Sequence, residues 1–455
     1  YAVLNVNLDT KGQKHINIIK MQEEKKHLFE LKKQYFSASG DRKHQLDIDI
    51  KNSILQLISL QLDYEMRTWY NNHAEQTLGF DDESNSLTYS KMKKELPADK
   101  LCLIEIGSAI RQRLADTSIP LHERAQTDIQ FFDWRIMFTE VFSRPSGCNG
   151  FDIVIGNPPY GAKVSAAEKD VFKKNFVTAK TIKNVQKGSL DTYTIFIEQA
   201  YNLMCKEACT AMIVPISITS SDALSGIHKL LMENCDDVHV SSYAVRPQPV
   251  FKNAVVNTSI VTFRKTLSPC ENIYATKMYR KGHNFDLQSL IDNLKFAKVN
   301  SHLLFGRIPK ISEDIEMSIL DKLAKHDKLG DFIRDSGSPI VYRFAGGRYF
   351  KVVTNYSNGS SAERTLFFDN DIANSIGCIL SSSLSFWFYQ IYSDNLNWKN
   401  YEISEFRIPK LSASIICQLE TLYAEYLADI ERNANVRQTT GASSYNVSSF
   451  KEYNL

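Results

Sequence analysis

Two stretches of helical period stand at the front of the chain. In IIKMQEEKKHLFELKKQYF the apolar positions Ile19, Met21, Leu28, Leu31 and Tyr35 recur near helical spacing. In QLDIDIKNSILQLISLQLDYEMRTWY the same holds for Leu46, Ile50, Ile54, Leu57, Leu62 and Tyr64, and Lys and Glu cover the other faces. SASGD separates the two runs. There Gly40 suits a helix end and Asp41 a cap. Residues 18–75 therefore predict a helical hairpin or short antiparallel coiled coil. Its mixed acidic and basic residues mark it as a structural arm and not a DNA grip.

From about Phe131 the texture changes. FDIVIG (151–156) is a short apolar run that predicts a buried strand. DTYTIFIEQAYNLMCKE (191–207) returns to helical period, with Asp191 as its N-cap. ACTAMIVP (208–215) predicts a second buried strand and SDALSGIHKLLMEN (221–234) a helix. DVHVSSYAV (237–245) and NTSIVTFRK (257–265) predict two strands that can pair antiparallel. Alternating strands and helices of this kind make an α/β sheet.

After about residue 285 the pattern is irregular. LDKLAKHDKLGDFI predicts a helix leading into a turn. SPIVYRFAGGRYFKVVTNY predicts a β-hairpin about Gly346-Gly347. SSSLSFWFYQIYSDNLNW is an aromatic helix or strand, and LSASIICQLETLYAEYLADIERN a C-terminal amphipathic helix. From Ala434 the tail is polar. The expected division is 1–130 helical arm, 131–285 catalytic sheet, 286–433 a mixed α+β domain and 434–455 tail.

Composition fits a globular chain of up to three domains: 455 residues, 43% hydrophobic and 23% charged. A net charge of +2 excludes a strongly basic arm as the main polyanion grip but allows a local basic groove. The eight cysteines form no C-x-x-C pair and read as reduced thiols of a cytoplasmic protein. Ten scattered histidines without H-E-x-x-H predict no metal site. No apolar run approaches the ~18–20 residues of a membrane span.

The chemistry concentrates in NPPY, directly after FDIVIG. In open α/β sheets ligands bind beyond the carboxyl ends of strands. Pro158 and Pro159 fix φ and remove two backbone donors, so the corner is stiff and rich in acceptors. The amide oxygen of Asn157 and the carbonyl of Pro158 can take both hydrogens of a planar exocyclic amino group. That draws the nitrogen lone pair out of conjugation and lets it attack an electrophilic methyl group without a strong base. Tyr160 adds a face on which a base can stack, worth about 1–3 kcal/mol.

FDIVIGNPPY resembles the catalytic motif of S-adenosylmethionine-dependent amino-methyltransferases. FFDWRIMFTEVF and DTYTIFIEQAYNLMCKEACTAMIVPISITS resemble the large adenine-specific DNA methyltransferases of type IIG restriction–modification systems, over roughly residues 15–285 and loosely beyond. The resemblance implies a Rossmann-like methyltransferase sheet, here partial, preceded by a helical hairpin and followed by a target-recognition domain. It implies double-stranded DNA as partner and S-adenosylmethionine as cofactor. Asn157, Pro158 and Tyr160 match the positions that hold and stack a flipped adenine, with Pro159 completing the turn. Phe251, in PVFKNAVVNTSIVTF, matches the aromatic on the other face of that base.

The family's glycine-rich cofactor loop is missing. LCLIEIGSAI offers only Gly107, so the cofactor-binding residues are unknown. The chain, which opens at Tyr1, is therefore expected to continue an N-terminal remainder of the same polypeptide and to bind S-adenosylmethionine weakly or not at all alone. Any nuclease is expected outside it. Arg343, Arg348 and Lys351, interleaved with Tyr342, Phe344 and Tyr349, are candidate DNA contacts, and Lys163 a candidate phosphate contact. Two other readings remain open: methylation of RNA or of a protein glutamine, and a catalytically incomplete DNA-binding fragment.

Overall fold

The computed structural model of the chain describes residues 16–73, 109–110, 112–118, 120, 123, 134–142, 144, 148–161, 164–179, 191–249, 256–281, 286–346, 350–433, 435–436 and 443–444. It divides into two compact units, Tyr1–Phe151 and Asp152–Leu455.

The first unit is the expected hairpin. Helix α1 spans Ile16–Ser37 and helix α2 Gly40–His73. Met21 and Leu28 of α1 pack against Leu55, Leu57, Ile58 and Leu62 of α2, and Ile110 joins the same core. Helix α1 buries one stripe, whereas α2 is buried all round over residues 57–62, where Ser59 and Gln61 are enclosed with Leu57, Ile58, Leu60 and Leu62. Gly40 does not end the first helix; it opens the second. FFDWRIMFTEVF contributes the short helices Trp134–Met137 and Thr139–Phe142. The Phe151 ring meets Trp134, Phe138 and Phe142 edge-on at 5.9, 5.3 and 5.4 Å.

The second unit is built on a six-stranded mixed sheet. Its strands are β1 (Phe151–Gly156), β2 (Met204–Pro215), β3 (Cys235–Tyr243), β4 (Thr258–Lys265), β5 (Ile273–Tyr279) and β6 (Ala297–Lys298). The order is β1-β2-β4-β3-β5-β6. Strand β4 runs antiparallel to both neighbours, setting Ile260 opposite Ile213 and Val261 opposite Val240. The expected β3–β4 pair therefore exists, and β4 is inserted between β2 and β3. Helix α3 (Ala166–Asn175) follows β1, α4 (Thr192–Leu203) precedes β2, and α5 (Ser225–Asn234) precedes β3. Ile195 and Ile197 of α4 and Ile227 and Leu231 of α5 are buried with Val214, Val240, Val261 and Phe263 of the strands.

Beyond the sheet come helix α6 (Asp314–Leu323), the strand pair β7 (Asp327–Lys328) and β11 (Arg407–Ile408), and a three-stranded sheet. That sheet places β8 (Ser338–Arg343) between β9 (Val353–Thr354) and β10 (Glu363–Phe368). Strands β8 and β9 pair antiparallel, as a hairpin about Gly346 requires. Helices α7 (Ala373–Leu380), α8 (Ser383–Tyr392) and α9 (Ala413–Asn433) complete the unit. The aromatic run of α8 is core: Phe388, Tyr389, Tyr392 and the following Trp398 are buried. Cys209, Cys235, Cys270, Cys378 and Cys417 carry free thiols. Cys205 is disulfide-bonded instead, against the expectation of reduced thiols. Among the described residues no helix is long and apolar enough to cross a membrane.

Candidate functional site

Strand β1 stops at Gly156, and the next four residues form a corner. Asn157 and Pro159 are exposed, Pro158 is buried and Tyr160 is half-buried. Thr210 Oγ1 of β2 donates to the Val154 carbonyl of β1 at 2.7 Å, and Tyr160 reaches Ile213 of β2. The carboxyl ends of β1 and β2 thus lie at one end of the sheet, with the corner beyond them.

Three groups fix the corner. The Tyr160 hydroxyl lies 2.9 Å from the Ile213 carbonyl and 3.0 Å from Asn157 Oδ1. Thr192 Oγ1, at the start of α4, donates to the Pro159 carbonyl at 2.8 Å. The Gly161 amide donates to Asp191 Oδ1 at 3.3 Å. Gly161 has φ +58, a left-handed turn that glycine takes without steric cost and that swings the chain back toward Asp191. Burial raises the Asp191 carboxyl above its usual range while the Gly161 amide pulls it down. Burial likewise raises the Tyr160 phenol, which stays a hydrogen-bond donor. Tyr193, fully buried, joins its hydroxyl to Ser217 Oγ at 3.0 Å and locks α4 to the segment after β2.

What remains free is the chemistry. Among the described residues the Pro158 carbonyl has no hydrogen-bond partner, and the Asn157 side chain touches only Tyr160. The corner thus carries two neutral acceptors on a clamped loop at a sheet end: the amide oxygen of exposed Asn157, which faces the Tyr160 hydroxyl, and the carbonyl of buried Pro158.

Asp191 differs from its expected role. It occupies the N-cap position of α4 but makes no side-chain cap bond; its carboxylate holds the loop instead. Thr192 was not anticipated as a site residue. Its signal was the polar Asp-Thr pair opening an otherwise apolar helix. Asn257 was also missed: its backbone carbonyl accepts from Ile216 at 2.9 Å, and its side chain accepts from Val245 at 2.9 Å. It thus closes the base of the 244–257 loop beside the end of β2.

Phe251, Lys163 and Arg348 lie outside the described residues. Arg343 is half-buried, its Nε donating to the Ala345 carbonyl at 3.0 Å. Lys351 is not a surface cation. It is 6% exposed, donates to the Gly346 carbonyl at 2.6 Å and sits 4.6 Å over the Tyr389 ring. Burial pushes its pKa down to about 8. In this arrangement Lys351 braces the hairpin turn and offers nothing to a phosphate. Tyr342 is likewise buried, against Trp398.

The corner lies within residues 43–251. They match the Eco57I restriction-modification methylase family. The resemblance read from FDIVIGNPPY thus holds over the methylase segment. A type II restriction enzyme and methyltransferase of Methanocaldococcus jannaschii is 26% identical over 201 residues, covering 43% of this chain and 15% of that protein. The type II restriction enzyme and methyltransferase RM.Eco57I of Escherichia coli is 26% identical over 214 residues, covering 44% of this chain and 19% of that protein. The chain thus matches less than a fifth of the length of either relative. Among solved structures, the type IIG restriction endonuclease BpuSI aligns at TM-score 0.26 with 11% identity, over 60% of this chain and 49% of that one. A nuclease-deletion mutant of the type ISP enzyme LlaGI, in complex with a DNA substrate mimic, aligns at TM-score 0.31 with 10% identity, over 67% and 26%.

Proposed function

We propose that the chain is the amino-group-holding part of a DNA methyltransferase that modifies the N6 amino group of an adenine flipped out of double-stranded DNA. The observation that carries this reading is the pair of neutral acceptors, Asn157 Oδ1 and the Pro158 carbonyl, side by side on a loop clamped by Tyr160, Thr192 and Asp191. The two acceptors take the two N–H bonds of the amino group, rotate its lone pair out of the ring and hold the nitrogen as a nucleophile. Tyr160 supplies a half-exposed ring for the base. Positioning and electrostatics supply most of the rate, and no general base of shifted pKa is needed at this loop.

S-adenosylmethionine supplies the methyl group in this reading. The described residues do not fit it by themselves: no glycine-rich strand–loop–helix adjoins β1, so the cofactor side of the pocket is not built from them. Residues 286–433 are proposed as the target-recognition domain, since phosphate and base contacts need surface beyond the sheet.

The test is Asn157→Ala in the complete enzyme. Methyl transfer to duplex DNA should fall at least about 100-fold, since an oriented polar contact to the reacting group is removed, while duplex affinity stays within about 2-fold. Unchanged methyl transfer rejects the reading.

A further inference from the structure

Residues Leu304–Arg307 form a tight two-residue reversal. The Leu304 amide donates to the Arg307 carbonyl at 3.1 Å, and the Arg307 amide to the Leu304 carbonyl at 3.0 Å. Both central residues have positive φ, Phe305 at +51 and Gly306 at +80. Such a turn favours Asn, Asp or Gly at both positions. Gly306 meets the demand and also a packing need, since a Cβ there would lie 3.2 Å from the ring of buried His228. Phe305 does not. A bulky residue held in the left-handed region is strained, and strain held at one place points to a use.

The Phe305 side chain has no burial to justify its conformation, because it is 68% exposed. Cations flank its ring: Lys328 Nζ lies 5.6 Å from the centroid and the Arg307 guanidinium 5.7 Å. Arg407 stands opposite Lys328 across the β7–β11 pair. The counter-charge is Glu405, 2.9 Å from Lys328. The tip is rigidly seated. Arg307 is 2% exposed with its guanidinium 3.7 Å over Tyr401, and Ile308 donates its amide to the Thr219 carbonyl at 2.9 Å. Thr219 lies just after β2, two residues beyond the Ser217 that Tyr193 grips, and Tyr193 adjoins the Thr192 that holds Pro159. Phe305 therefore stands on the same end of the sheet as the amino-group corner.

We propose that Phe305 is an aromatic wedge that stacks against a base of the duplex laid open when the target nucleotide is extruded, with Lys328 at the edge of the ring for an adjoining phosphate. This rests on the DNA-methylase reading. Extrusion unstacks the neighbouring bases, and an apolar ring inserted at the step offsets that loss. A rigid tip needs no ordering when it binds. A single exposed ring with a lysine at its edge suits a nucleobase and its backbone better than an apolar protein face.

Two variants of the complete enzyme test this. Asn fits a left-handed turn, so Phe305→Asn should raise Tm by about 2 °C as strain is relieved. It should also weaken duplex binding about 10-fold, the loss expected for one base–aromatic stack. It should reduce the fluorescence rise of a 2-aminopurine placed at the target adenine. Phe305→Trp should keep both signals near wild type. Wild-type affinity and fluorescence in Phe305→Asn overturn the wedge and leave a protein contact as the alternative. A lower Tm in that variant, with weak binding, makes Phe305 a structural residue and overturns it equally. If the unaltered enzyme neither binds duplex nor brightens the probe, the DNA-methylase reading itself has failed.

Discussion

At the scale of single residues, the Tyr160 hydroxyl has one proton and two acceptors within reach, the Ile213 carbonyl at 2.9 Å and Asn157 Oδ1 at 3.0 Å. It can donate to only one. Donating to the fixed carbonyl leaves its lone pairs for the Asn157 NH2 once the amide, whose oxygen faces the hydroxyl in this structure, rotates by half a turn, and that rotation turns the oxygen outward to meet a substrate amino group. Tyr160 is then a positioning residue as well as a stacking face. Tyr160→Phe in the complete enzyme should lower kcat about 10-fold, the worth of one oriented hydrogen bond, with KM for DNA within about 2-fold because the ring remains. A single-turnover assay that finds the rate unaltered removes this role from the hydroxyl. The corner itself was legible in the sequence, because two adjacent prolines cannot continue the strand that ends at Gly156. The clamps were not. Asp191 satisfied the residue preference of a cap, yet the same carboxylate serves a loop anchor equally well, and only the fold decides between them. Lys351 was read as exposed because it alternates with aromatics in a hairpin. A lysine can bury its ammonium over a ring when a carbonyl receives it, and no period in the sequence records that.

At the scale of elements, most strands and amphipathic helices were legible from their hydrophobic periods. But FDIVIG, expected to be buried, is largely exposed, and residues 204–207, expected to end a helix, begin β2. SLSFWFYQIY was ambiguous because it is predominantly apolar. What makes it a helix is its start: Ser382 Oγ accepts from the Ser385 amide at 3.2 Å, a cap hidden inside a run of serines. Buried polar anchors elsewhere were equally hidden. Glu198 of α4 is 4% exposed. It accepts from the Val177 amide at 2.8 Å, the Thr178 amide at 2.8 Å and Thr178 Oγ1 at 2.6 Å. One carboxylate thus ties the turn after α3 to the helix that carries Thr192. Glu198→Ala orphans three donors at once and should destabilise the second unit by about 3 kcal/mol or more. Urea unfolding measures this; a midpoint unchanged from the parent protein contradicts it. Because the turn and the Thr192 end of α4 share that helix, methyl transfer in the complete enzyme should fall with stability in this variant and not independently of it.

At the scale of the whole molecule, two consequences reach beyond any one element. Glu402 is 1% exposed with no partner for its Oε1 among the described residues, and burial lifts its pKa to about 7. The folded protein therefore keeps a proton that the unfolded chain has lost once pH exceeds the ordinary value of 4.5. The stability this group contributes is full below that value, declines as pH rises to about 7 and is flat above. The decline is on the order of 3 kcal/mol. Lys310, buried and lowered to about 7, acts in the adjacent window: it is neutral in the fold above that pH while the unfolded chain still binds its proton, so stability rises from there toward 10.5. Glu402→Gln should remove the first slope and, because the Glu402 charge holds the Lys310 ammonium up, let the second begin at lower pH, so its Tm relative to the parent should rise between pH 5 and pH 7. A constant difference across that range would show that Glu402 titrates normally. The second consequence concerns β1. Among the described residues it pairs only with β2, yet its apolar side chains Ile153 and Ile155 are 66% and 77% exposed. A strand of this composition is normally covered on both faces and paired on both edges. In the proposed reading the corner therefore stands at an edge strand that, among the described residues, is paired on one side only, and the sequence provides no glycine-rich loop to cradle a sulfonium nucleoside there. Calorimetry on the 455-residue chain alone should accordingly detect no micromolar binding of S-adenosylmethionine. Heat at micromolar cofactor would mean that the described residues already form the methyl-donor pocket, and the division of labour inferred from β1 would then be wrong.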